Sequence, residues 1–316
     1  MPTVYLDTNH WISLARAASG HPTDPGHVRI LELLRHHVAA GELQLPLSWI
    51  HYIEVHQAHQ VERRRRLARL MIELSQGLSI APLSLRLPES LTQSVARAFG
   101  IVRVPQPAAV LGRGVAFAFG QPRMSLFDGT ALFMEPILAG TQDGLGDAEL
   151  ALAAEVLTSL RAGSSSRARE FEAGRAWARR DSPDALFRLH LARTAIQVRP
   201  AILDALYANA VTLDLSSPTA ETTLTAIILG VPELAVSVRL NVARDLQHDR
   251  RVAGNDFRDI DALCLAIPCC DLVVTEALWT SLSNRRASAV PHGDRVVRSL
   301  ESLEHFLAQR AGGRAQ

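Results

Sequence analysis

A short apolar run ending in three polar groups opens this chain: Val4-Tyr5-Leu6, then Asp7-Thr8-Asn9. Val and Tyr favour extended backbone. From His10 to Ala18 the apolar residues Trp11, Leu14, Ala15 and Ala18 then fall at helical spacing. The pattern predicts a buried parallel strand that delivers an acid, a hydroxyl and an amide at its C-terminal end. Open α/β sheets assemble their sites on that edge. A carboxylate between two apolar elements needs a partner or a cation. The competing structural explanation is that Asp7 caps the helix, or that Asn9 makes an Asx turn.

The same alternation continues. Val28 to Ala40 reads as a helix ended by Gly41, Leu43 to Leu47 as a strand, and Trp49 to Gln76 as one long helix with Ser48 at its N-cap. Leu78 to Leu83 and Pro88 to Phe99 read as strand and helix. From about residue 100, prolines and glycines break the pattern, and helical runs follow at Ala148–Arg161, Arg167–Arg180, Asp184–Ile196 and Pro200–Asn209. Helices are expected from Ser217 to Leu229, from Pro232 to about Asp249, and from Asp259 to Ala266. Asp271 to Thr275 and Val296-Val297 are expected strands, before a helix at Leu300–Gln309. The expectation is an α/β core with a parallel sheet and helices on both faces, split into 1–99 and 217–316 by a helical insertion at 100–216.

Composition narrows the function classes. The 316 residues are 47% hydrophobic, enough for a substantial core, and mean hydropathy is +0.08. No apolar run approaches the roughly 20 residues of a bilayer span, and no basic stretch precedes an apolar one at the N-terminus. Cys264, Cys269 and Cys270 share one apolar segment, with neither a disulfide framework nor zinc spacing. A cytoplasmic protein, with no membrane association, is expected. A net charge of +1 gives no global attraction to nucleic acid, and the absence of lysine, all 33 bases being arginine, is neutral on the point.

Acids recur where strands end and helices begin: Asp7, Glu54, the group Asp256, Asp259 and Asp261, and Glu276 after Thr275. In a doubly wound sheet these places open on one edge. Carboxylates gathered there repel one another unless a cation neutralises them. An all-oxygen set favours Mg²⁺ or Mn²⁺ over zinc, and two such ions suit an in-line phosphodiester displacement by water. Each acid has a plainer explanation: Glu54 on an exposed helix face, Asp256 and Asp259 as cap and first-turn acids, Glu276 as a cap.

The segments Val4 to Asn9, Ser48 to Glu54, Asn255 to Asp259 and Val273 to Glu276 together resemble the four acidic motifs of the PIN-domain ribonucleases. The resemblance covers roughly residues 1 to 85 and 250 to 310. It implies a PIN-like, Rossmannoid core and a Mg²⁺- or Mn²⁺-dependent endoribonuclease that cuts single-stranded RNA with metal-activated water. Carried over by position, Asp7, Glu54, Asp259 and Glu276 are catalytic and hold metal, and Thr8, Asn9 and Thr275 orient them. For the third motif Asp259 ranks first, Asp256 second and Asp261 third. The fourth position is more often aspartate, so Glu276 departs from the family pattern. The implied settings are a toxin or defence component, with an antitoxin or other protein partner, or a homodimer. The rival is a non-catalytic RNA-binding or scaffold protein with a degenerate site.

Other features receive structural readings. Arg63 to Arg66 covers every side of a helix turn, so at least two of the four cannot face one strand, and a solvated face is expected ahead of an RNA track. His51, His56 and His59 lack zinc spacing and are expected at the surface. His10, beside Asp7, is expected to have a raised pKa. Core packing is expected for Trp177, Phe187 and the Cys269-Cys270 pair.

Overall fold

The structure is a computed structural model and describes residues 1–57, 60–106, 108–120, 183–247, 250–286 and 289–313. Its elements run β1 (Val4–Leu6), α1 (Thr8–Ala18), α2 (Gly26–Ala39), α3 (Trp49–Gln57), α4 (Val61–Ser75), β2 (Leu78–Ile80), α5 (Leu83–Ala98), β3 (Leu111–Arg113) and α6 (Gly114–Ala118). There follow α7 (Pro183–Gln197), α8 (Arg199–Ala208), α9 (Ala220–Leu229), α10 (Pro232–Asp245), α11 (Gly254–Cys269), β4 (Leu272–Val274), α12 (Ala277–Asn284), β5 (Val296–Val297) and α13 (Leu300–Gly313).

The fold is α/β, built on a parallel sheet of order β1-β4-β5, with Val4 opposite Leu272 and Leu6 opposite Val274. Side chains alternate across a strand, so each strand feeds two cores. Val4, Leu6, Leu272 and Val274 pack with Trp11, Leu34, Met71 and Leu303 from α1, α2, α4 and α13. Tyr5, Val273 and Val296 face the opposite way, onto Leu240, Ile260, Leu263 and Trp279 from α10, α11 and α12. Strands covered on both faces read as continuous apolar runs, which is how β1 and β4 read in the sequence.

Leu43 to Leu47 makes single parallel bridges, Thr3 with Gln44 and Leu47 with Ser79, instead of the expected strand. Pro46 has no N–H to give a ladder. The segment still ties β1 to the antiparallel pair β2–β3: Val4 N–H donates to the Gln44 carbonyl at 2.9 Å and Ile80 N–H to that of Leu47 at 2.8 Å. The long helix expected from Trp49 to Gln76 is two helices, with Gln60 extended (φ −96°, ψ 113°) at the start of the second.

A separate helical core joins α5, α7, α8, α9 and α10 through Leu91, Val95, Leu191, Ile202, Ile228 and Leu234. It draws on α5, before residue 100, and on α9 and α10, beyond 216. The expected helices at 148–161 and 167–180, and Trp177, lie outside the described residues. Phe187 packs against this core under the Arg239 guanidinium, 4.5 Å from its ring centroid. Buried charges pin α10: His190 Nε2 lies 2.9 Å from Asp245 Oδ2, the Arg244 Nε donates to Asp245 Oδ1 at 2.9 Å, and Arg86 pairs with Glu233. Cys264 and Cys270 are buried free thiols, whereas Cys269, of the pair expected in the core, is partly buried and its Sγ accepts from the Arg86 guanidinium at 2.8 Å. No single helix among the described residues is long and apolar enough to cross a membrane.

Candidate metal centre

The Asp7 N–H donates to the Val274 carbonyl at 2.9 Å, so the β1–β4 ladder runs one step past the strands. Asp7 and Thr275 therefore leave the sheet side by side. The Asp7 carbonyl starts α1 by accepting from the N–H groups of His10 and Trp11, at 2.9 and 3.2 Å. Its side chain makes no capping hydrogen bond to that helix. Instead Asp7 Oδ2 accepts from Thr275 Oγ1 at 3.2 Å.

Glu54 is positioned by a residue read differently in the sequence. His51 is fully buried, not at the surface, and its ring stacks on Tyr5 with centroids 4.9 Å apart. Its Nδ1 accepts from the Ser48 N–H at 3.0 Å, which leaves the proton on Nε2 to donate to the Leu6 carbonyl at 2.8 Å. The start of α3 is thereby tied to the residue preceding Asp7. Glu54, three residues on and on the same helix face, accepts from Thr8 Oγ1. Burial holds the His51 imidazole neutral, its pKa lowered to about 4 against an upward pull from the Leu6 carbonyl. The side chains of His56 and His59 lie outside the described residues.

From α11 the structure brings one acid of three to the cluster. Asp259 accepts from Trp279 Nε1 at 2.9 Å. Asp256 is buried and turned elsewhere: it receives Arg250 bidentately at 2.9 and 2.6 Å and reaches back to the Ala253 N–H at 2.9 Å. That is the capping role, which also starts α11 at Gly254 instead of Asp259. Asp261 lies about 200° around the helix from Asp259. It does not line the cavity described below, and its charge is felt by Cys264. Glu276, exposed at the start of α12, accepts from Asn9 Nδ2.

Asp7, Glu54, Asp259 and Thr275 line one cavity with Tyr5, Ile50, Ala262 and Leu263. Its volume of about 10 Å³ suits a single water-sized body, not an organic cofactor. Burial, then the charges of Glu54 and Glu276, push the Asp7 carboxyl up to about 7, against the Thr275 hydroxyl and the Thr8 N–H. Asp259 is pushed up to about 8 by burial, with Asp7, Glu54 and Glu276 adding to it and Trp279 opposing. Glu54 is raised by burial, while Thr8 and the nearby Arg258 restrain it. His10 goes the other way from the expectation. Burial lowers its pKa, and the strongest opposing group is the Thr275 carbonyl at 3.4 Å from Nε2, not Asp7.

Comparisons of the chain with protein families, curated proteins and solved structures find no match. The site is therefore read from its chemistry. An all-carboxylate, partly buried donor set fits a hard divalent cation, which would displace the protons that Asp7 and Asp259 otherwise hold. Among the described residues, no three His, Cys, Asp or Glu side chains stand at ligating positions around one point. Each acid rests on its own donor: Asp7 on Thr275, Glu54 on Thr8, Asp259 on Trp279. Trp279 and His51 were absent from the sequence-derived site. Their signal was positional: each sits three residues from an acid of the set, Glu276 or Glu54.

Proposed function

We propose that this chain is a Mg²⁺- or Mn²⁺-dependent endoribonuclease with a PIN-like core, acting on single-stranded RNA. The observation that carries the reading is one small cavity lined by Asp7, Glu54 and Asp259, with two of the carboxyls titrating near 7 and 8. Carboxyls so perturbed, in a cleft at the sheet's C-terminal edge, mark a functional site better than a structural ion pair does.

Asp7, Glu54 and Asp259 would hold the ion, and Glu276 would contribute from the mouth. A bound divalent cation supplies charge neutralisation, polarises the phosphodiester and activates water. The protein's own part is orientation. Thr275 fixes Asp7, Thr8 fixes Glu54, Trp279 fixes Asp259, and Asn9 holds Glu276 toward the cluster. Such supporting bonds set ligand geometry and are worth about 10–100-fold in affinity or activity at metal sites. Tyr5 and Ile50 close the inner wall against bulk water.

The test is incubation of labelled single-stranded RNA with purified protein, with Mn²⁺ and with EDTA, beside Asp7→Asn. Cleavage that needs Mn²⁺ and is lost in Asp7→Asn supports the enzyme. Cleavage unaffected by both identifies a contaminant and removes the support. A second reading, RNA binding without hydrolysis, draws on the separate anchoring of the three acids. Binding with no cleavage under any divalent ion would select it.

A further inference from the structure

Asn9, Ile12 and Arg16 share one face of α1, spaced three and four residues apart, with Ser19 at the C-cap. That face leads from the acid cluster into a groove of about 480 Å³ between α1 and α4. Ile12, Ala15 and Leu67 form its apolar floor, and Arg16, Arg63 and Arg66 stand exposed on its rim. Of the arginine run on α4, Arg63 and Arg66 are three apart and line the groove, whereas Arg65 pairs with Glu62 at 3.2 Å.

Among the described residues, Arg16, Arg63 and Arg66 have no carboxylate partner, while the exposed Arg29 and the half-buried Arg35 have Glu304 and Glu73. Three cations converging without an internal counter-ion are suited to an external polyanion. At about 1.5 Å of rise per residue, Asn9 and Arg16 are roughly 10 Å apart along α1. One continuous strand spans that distance.

We propose that this groove is the track for a single-stranded RNA backbone, holding phosphates beside the bond presented to the acids. The strand's course rests on the nuclease reading, whereas binding in the groove does not. Arginine suits phosphate through its forked donors. The apolar floor accepts unstacked base faces, which a duplex keeps hidden, and Ser19, His21 and Thr23 also line the groove, with side chains able to hydrogen-bond base edges.

The experiment is fluorescence anisotropy of a labelled oligouridylate on full-length protein carrying Asp7→Asn, across a NaCl series without divalent ions. Arg16→Gln/Arg63→Gln/Arg66→Gln should weaken binding roughly tenfold or more and reduce the slope of log K against log [NaCl] by about 2, at about 0.7 for each phosphate no longer neutralised. The charge-matched control, Arg29→Gln/Arg35→Gln/Arg65→Gln, should leave the slope unchanged. The groove is overturned by an unchanged slope in the first variant, by an equal loss in the control, or by binding of a polyglutamate peptide in place of the oligonucleotide. Circular dichroism melts of both triple variants confirm that folding is not what changed, and single Arg→Lys replacements in the groove should keep most of the slope. RNA cleavage by the unsubstituted chain is scored separately. Groove-dependent binding without cleavage sinks the nuclease reading alone, and Mn²⁺-dependent cleavage with groove-independent binding sinks the track alone.

Discussion

Asp7 and Asp259 carry carboxyls at about 7 and about 8, far above the ordinary aspartate value of 3.8. Between about pH 4 and pH 8 the folded chain therefore holds more protons at these positions than the unfolded chain. Their contribution to stability is complete below the unfolded value and is lost as pH rises through the folded one. His51, with its pKa lowered to about 4, acts in the opposite direction between that value and 6.5. Above about pH 6.5 the carboxylate effect is read without it. In chelator, Asp7→Asn and Asp259→Asn should each raise stability at pH 8 by roughly 1–4 kcal/mol and flatten the decline between pH 6.5 and 8. Urea unfolding at the two pH values measures this; a decline as steep as in the unsubstituted chain would contradict it. His51→Ala removes two buried hydrogen bonds and leaves a void, at a cost of about 2–4 kcal/mol in the same assay. The acids were legible in the sequence as charges at strand ends. The family resemblance ranks Asp259 above Asp256 and Asp261; the physical reason is not legible locally, because Arg250 and the Ala253 N–H engage Asp256 in space. Local pattern places His51 at the surface for a related reason: its partner is a carbonyl on β1, invisible to any local pattern.

At the level of elements, strands covered on both faces announced themselves. Val4-Tyr5-Leu6 and Leu272-Val273-Val274 are apolar throughout because neighbouring side chains enter different cores. The strand β3 did not, since Leu111-Gly112-Arg113 has no alternation and exists through its pairing with β2. Gly112 also lets Phe117 lie against it, at 2.6 Å from where a Cβ would stand. A more rigid constraint holds the turn before β5. A Cβ on Gly293 would come within 2.2 Å of the Ser283 carbonyl oxygen, which is backbone and cannot swing aside. Gly293→Ala should cost about 1–3 kcal/mol, as overpacking does. A thermal melt checks it, and an unchanged midpoint would show that α12 shifts freely relative to β5. The Asn284 side chain opposes such a shift, since its Nδ2 donates to the Val296 carbonyl at 2.9 Å.

Across the whole molecule, the sheet brings chain positions near 7, 54, 259 and 276 to one edge, while the helical core of α5 and α7–α10 stands as a second packing unit. The acids, drawn from segments more than 200 residues apart, are a cost to folding unless a cation joins them. Ions that bind only the folded chain stabilise it by mass action. The direct measurement is calorimetric titration of Mn²⁺ at pH 7 in two buffers of different ionisation enthalpy. Because ligands must be deprotonated, one divalent site built on Asp7 and Asp259 should bind saturably with net proton release, and the release should shrink at pH 9. Asp7→Asn and Asp259→Asn should each weaken binding and reduce the protons released. Absence of Mn²⁺ binding, or equal binding by these variants while folded, would contradict a shared metal centre.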